Sequence, residues 1–151
     1  MRSIVVCLSV ILAAGCSSPT SPSPTPPAGP RSGTWVGTLE DSSNGQGTLR
    51  VTLQETLAGS LGLLGGTWNA TFADASKNAS GDVSGSVSGS VVQLTLRRTV
   101  PLVCPNPGPV PIVYGSYFAL DLTVAGSTIS GRYIYQACTS APSGTLGLTR
   151  Q

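Results

Sequence analysis

Histidine is missing from this chain of 151 residues, and acidic and basic residues together make up only 9% of it. Without imidazole, proton transfer would fall to Glu40, Asp41, Glu55, Asp74, Asp82 and Asp121. Glu40 and Asp41 sit where a strand ends and read as a turn, Glu55 closes the next strand in the same way, and Asp121 alternates outward between Leu120 and Leu122. No serine is flanked as in a nucleophile elbow, and no glycine-rich segment precedes a helix that could cradle phosphate. The expectation is a protein that is not an enzyme and that holds neither cofactor nor metal. The formal charge of +2 gives no basic surface for nucleic acid. Aromatic residues are scarce at 5%, so each one that is present is a candidate for the core or for a binding wall.

Long apolar runs are also lacking. The stretch Ile4 to Ala14 is about ten residues, the size of a secretory signal core, whereas a bilayer-spanning helix needs roughly 20. It follows the single positive charge of Arg2 and ends in Leu12-Ala13-Ala14-Gly15-Cys16. A cysteine directly after small residues at the end of such a run resembles the lipobox of bacterial lipoproteins. The resemblance implies that residues 1–15 are a cleaved signal peptide and that Cys16 becomes the acylated N-terminus. It also implies a membrane partner, reached through the lipid anchor without any transmembrane helix. Ser17, rather than aspartate, follows the cysteine, which by resemblance favours the outer membrane of a bacterial envelope. An ordinary signal peptide ending near a cysteine is the alternative.

Export sorts the remaining cysteines. Cys7 leaves with the signal, Cys16 takes lipid, and Cys104 and Cys138 remain in an oxidising compartment, where a disulfide is the expected pairing. Closing a loop of about 35 residues would stabilise the fold by roughly 3–4 kcal/mol on the chain-entropy model. A metal site is the weaker alternative, because two separated cysteines lack the paired ligand spacing of zinc sites.

Residues 16–32, the lipidated cysteine and the stretch SSPTSPSPTPPAGPRS after it, cannot bury a core. Their proline density predicts an extended spacer of at most roughly 50 Å. The folded part is residues 33–151, enough for one domain. Helix signals are nearly absent from it, and short runs of alternating apolar and polar residues recur between Gly, Ser and Asn clusters. Eight such runs stand out. Their expected inner rows are Trp35, Gly37 and Leu39; Leu49, Val51 and Leu53; Trp68, Ala70 and Phe72; Gly81, Val83, Gly85 and Val87; Val92, Leu94 and Leu96; Phe118, Leu120, Leu122 and Val124; Ile129, Tyr133 and Tyr135; and Leu146 and Leu148. Compact connections suit neighbouring strands joined up and down. The expected fold is an all-β, eight-stranded antiparallel barrel, with a β-sandwich as the alternative.

One connection, Thr99 to Val113, is too long and too apolar for a simple hairpin loop. Up-and-down tracing brings Cys138 beside Cys104 at the barrel end away from the spacer, predicting a disulfide-pinned flap over a distal mouth. Gly33-Thr34-Trp35 at the start of the first strand resembles the G-x-W signature of lipocalin-like (calycin) barrels, in which the tryptophan packs near an arginine at the end of the last strand. Arg150 occupies that position here, so the resemblance implies that Gly33, Trp35 and Arg150 meet at one barrel end.

The functional expectation is a lipid-anchored envelope lipoprotein that binds a small apolar molecule or a peptide at its distal end. Trp68, Phe72, Phe118, Tyr133 and Tyr135 are the expected walls, and a cavity of roughly a few hundred Å³ would be needed. A protein-interaction module, such as a protease inhibitor, and a structural envelope protein without ligand are the alternatives. Replacing Cys16 with serine is expected to release the protein from membranes. Its continued retention in the membrane fraction would overturn the lipoprotein expectation.

Overall fold

The structure, a computed structural model, describes residues 29–42, 44–104, 112–135 and 141–151, and for strand residues 41, 102, 104 and 112–120 it describes the backbone. Eight strands run β1 (Gly33–Asp41), β2 (Gly45–Ala58), β3 (Leu61–Phe72), β4 (Ala79–Ser88), β5 (Val91–Cys104), β6 (Ile112–Ala125), β7 (Thr128–Tyr135) and β8 (Ser143–Arg150). Each pairs with its chain neighbours, and β1 also pairs with β8, so the sheet closes into an up-and-down antiparallel barrel. Closure rules out the sandwich alternative.

Period-two alternation decides which side chains go inside. Along β2 the pattern is Leu49, Val51 and Leu53 buried, with Thr48, Arg50, Thr52 and Gln54 exposed. The same rule buries Trp35 and Leu39 from β1, Trp68, Ala70 and Phe72 from β3, and Leu146 and Leu148 from β8. The outer rows are hydroxyl-rich. Thr38, Thr48 and Thr71 face one another across three strands, as do Thr34, Thr52 and Thr67. An apolar inside and a polar outside reverse the pattern of a lipid-spanning barrel.

The sixth strand departs from the expected alternation. Asp121 adopts φ 53, and around it Val92 pairs with Leu122 while Leu94 pairs with Ala119. This is a β-bulge, in which the extra residue reverses the face of everything upstream. Leu122 is buried and Val124 partly so, as the alternation predicts. Upstream, Tyr117 and Ala119 stand opposite the inner-row residues Tyr135 and Tyr133, and Phe118 stands opposite the exposed Ile134.

The presumed flap also differs from expectation, because much of it is strand. Leu102, Val103 and Cys104 pair with Tyr114, Val113 and Ile112. The arm is set off from the barrel wall by a register shift between Arg97 and Leu102, where Pro101 sits without a backbone N–H to donate. Beyond the Gly81–Arg98 pair, β4 gives β5 no further partner, so Thr99–Cys104 runs past the wall.

One barrel end is closed by the last residues before β1. Gly29 N–H donates to the Glu55 carbonyl at 3.1 Å, and Arg31 N–H donates to Glu55 Oε2 at 2.7 Å. The Arg31 guanidinium reaches Glu55 Oε1 at 3.4 Å and the Gly89 carbonyl at 3.1 Å. Arg150 then holds the segment from the other side, donating to the carbonyls of Pro30 and Ser32. Among the described residues, contacts with the barrel thus reach back to Gly29, inside the stretch expected to be spacer. Glu55 corrects a second expectation: it is no turn residue but a buried carboxylate, 3% exposed, in phase with Leu49, Val51 and Leu53. Replacing Glu55 with alanine should destabilise the barrel by roughly 2–3 kcal/mol, below the range for a fully buried pair because the Arg31 side chain is partly solvated. Urea unfolding measures this, and a loss no larger than that of an exposed threonine-to-alanine change would contradict the buried role.

Candidate functional site

The distal end is the one opposite the Gly29–Ser32 plug. There Leu39, Leu49, Trp68, Ala70, Leu96, Tyr133 and Leu146 surround a cavity of about 20 Å³. All seven come from inner rows, so the hollow is the point where the packing of the core stops short of the rim. A volume of that size holds about one water molecule, an order of magnitude below the roughly 300 Å³ at which small-molecule pockets begin. The interior is otherwise filled by Trp35, Leu53, Leu122, Ile129, Val51, Val87 and Val92, each under 2% exposed.

Trp68 is held by a specific arrangement. Its indole Nε1–H donates to the Arg97 carbonyl at 3.1 Å, two strands away across β4. The residue it passes is Gly81, its direct pairing partner. A Cβ at Gly81 would run into that same Arg97 carbonyl, so only glycine lets the ring and its acceptor meet here. Tyr133 reaches toward the rim, with its hydroxyl 3.4 Å from the Glu40 carbonyl as donor. Phe72 and Tyr135, each 8% exposed, end their strands at the same end of the barrel. Of the expected wall residues, Trp68, Phe72, Tyr133 and Tyr135 therefore gather at the distal half of the interior. The Phe118 side chain lies outside the described residues.

Outside the barrel wall the distal end offers more room. A groove of about 190 Å³ runs between the β3–β4 connection and the β5 arm, lined by Asn69, Asn78, Ala79, Ser80, Arg98 and Val100. Val100 and Val103 on that arm are 74% and 63% exposed. A second groove, of about 410 Å³, lies between the β1 and β8 ends around Glu40, Arg132 and Thr145. Within the β3–β4 connection Asp74 caps the short helical turn Ala75–Lys77. Its carboxyl is held below the ordinary aspartate range by hydrogen bonds from the Ser76 hydroxyl and backbone N–H, with Lys77 adding to the effect.

The remaining expected residues fall elsewhere. Gly33, Trp35 and Arg150 do meet, at the opposite, plugged end. Trp35 pairs with Arg150 across the closing seam, its indole donates to the Arg31 carbonyl at 3.0 Å, and Gly33, at φ +135, leaves room for the Arg150 Nε, which would stand 3.2 Å from a Cβ there. Cys16 and Cys138 lie outside the described residues, and Cys104 is placed by its backbone at the tip of β5. The Arg31–Glu55 pair was missed. Its signal was the phase of Glu55 within the inner row of β2, which the charge of the residue obscured.

The architecture is an eight-stranded closed barrel compatible with a lipocalin-like fold. No protein-family model matches the chain, and no curated protein matches it. Trp68→Phe keeps most of the ring volume and removes the bond to the Arg97 carbonyl, so it should cost about 1 kcal/mol in denaturant unfolding. An unchanged midpoint would mean that the bond does not help to hold the distal wall.

Proposed function

We propose that this protein is a lipid-anchored envelope lipoprotein whose barrel serves as a binding module, engaging an extended peptide segment of a partner at its distal end. Acylated Cys16 supplies the membrane attachment, the stretch before Gly29 the spacer, and a Cys104–Cys138 disulfide the pin that steadies the distal arm. The outer membrane is the destination that Ser17 favours. The module carries no catalytic step in this reading.

The observation that carries the reading is the β5 arm beyond Arg98, which bears two exposed valines beside a groove of about 190 Å³. An extended strand running past its neighbour is the element to which another extended segment can add, with main-chain hydrogen bonds supplying affinity and flanking pockets selecting side chains. Arg98, Asn69 and Asn78 give that groove hydrogen-bonding groups, while Val100 gives it an apolar wall. The filled interior weighs against a carrier of small apolar molecules, because a ligand of ordinary size would have to displace Leu39, Trp68 or Tyr133.

Panning a displayed peptide library against the mature chain, made soluble by Cys16→Ser, tests this. Bound sequences should alternate apolar and polar residues, and the double change Val100→Asp and Val103→Asp should weaken them by about tenfold or more, ~1.4 kcal/mol. Binding indifferent to both substitutions would move the site off the arm. Stoichiometric co-purification of a small apolar molecule, detected by native mass spectrometry, would restore the carrier reading in its place.

A further inference from the structure

The plugged end carries an exposed apolar feature that neither the core nor the distal site uses. β2 continues from Leu53, its last partner on β1, to Ala58, and turns through Gly59 and Ser60 into β3. This hairpin tip therefore stands beyond the end of β1, while on its other side β3 stays paired with β4 up to Leu61 and Ser88. Its leucines are exposed, Leu61 and Leu63 on the outer face and Leu57 at the rim in phase with the inner row: Leu57 is 57% exposed, Leu61 38% and Leu63 48%. Val91, 53% exposed, extends the patch across Ser88, which pairs with both Leu61 and Val91. Exposed apolar side chains gathered at one barrel end mark an interaction surface.

The place where the chain enters the barrel points to what covers it. The chain outside the structure ends at Gly29, and Gly29 is hydrogen-bonded to Glu55 of β2, so the spacer leaves the barrel at the root of this same hairpin. From Cys16 to Gly29 the chain spans at most about 40 Å, which keeps a membrane-held Cys16 within reach of the leucines.

We infer that the β2–β3 hairpin tip inserts Leu57, Leu61 and Leu63 into the lipid interface, making a second, non-covalent membrane contact that sets the barrel upright on the bilayer with its distal arm pointing away. This rests on the lipoprotein reading of Cys16. Together the hairpin and the acyl chains fix an orientation that a flexible tether alone leaves free. Apolar side chains at an interface add binding in proportion to the area they bury.

The test uses the acylated protein reconstituted in vesicles of phosphatidylethanolamine and phosphatidylglycerol, with an environment-sensitive fluorophore attached through Leu61→Cys or, as the distal control, Thr145→Cys. A blue-shifted emission at position 61 that doxyl-labelled lipids quench, with neither effect at position 145, is the expected result. Matching signals at the two positions on membrane-bound protein overturn the hairpin contact and leave the anchor standing. A chain recovered without acylation at Cys16 overturns the anchor. In that case flotation of the same chain with vesicles decides the hairpin contact: partition weakened about tenfold or more by Leu57→Ser, Leu61→Ser and Leu63→Ser together supports it, and no partition overturns it.

Discussion

Pairing of β1 with β8 is the constraint on which the rest of this structure depends. Once Trp35 faces Arg150 and Leu39 faces Leu146 across that seam, no sheet edge remains along the wall, and every inner-row side chain is confined to one volume. In a ring of eight strands that volume is about what side chains can fill, and here they fill it, with two tryptophans at different heights. Trp35 blocks one end and donates to the Arg31 carbonyl. Trp68 spans the other half and donates to the Arg97 carbonyl. Both indoles therefore satisfy their one donor inside an apolar core, where a lone N–H would cost stability.

The two ends of the closed barrel are unlike each other, and the proposed function rests on that difference. At one end Gly29–Ser32 crosses the opening and is tied to β2, to the β4–β5 turn and to β8 through Glu55, Gly89 and Arg150. At the other end the core stops at a hollow of about 20 Å³, and β5 with β6 runs on as an arm. A solid barrel has little to offer as a container. In the proposed reading it holds a projecting strand in fixed relation to an anchor, with a rigid wall between the two. The outward threonine rows fit the same picture, because they leave the wall between the ends in contact with water.

Most of the wall was legible in the sequence. Seven inner rows follow simple alternation, and the turns between β2 and β3, β4 and β5, and β6 and β7 announce themselves by glycine and serine. The meeting of Gly33, Trp35 and Arg150 is what the resemblance to lipocalin-like barrels implied, and strand direction agreed with it. Three features were not legible, each for a physical reason. The bulge at Asp121 depends on a left-handed backbone in a residue that is not glycine, and periodicity cannot register it. The paired part of the arm, Leu102–Cys104 with Ile112–Tyr114, was masked by prolines that read as loop, although Pro101 is tolerated at a register shift. Glu55 sat in phase with Leu49, Val51 and Leu53 but carries a charge, and its acceptance inside depended on Arg31, from a stretch whose composition spoke only of a spacer.

The central claim is that the plugged end with its leucine hairpin lies toward the membrane and the β5 arm away from it. Hydrogen–deuterium exchange of the vesicle-bound acylated protein, compared with the Cys16→Ser protein in solution, tests it most directly. The account predicts added protection confined to the β2–β3 hairpin, residues 56–63, with the exchange of Thr99–Cys104 unchanged. Protection of the distal arm by the membrane, with none at the hairpin, would contradict it.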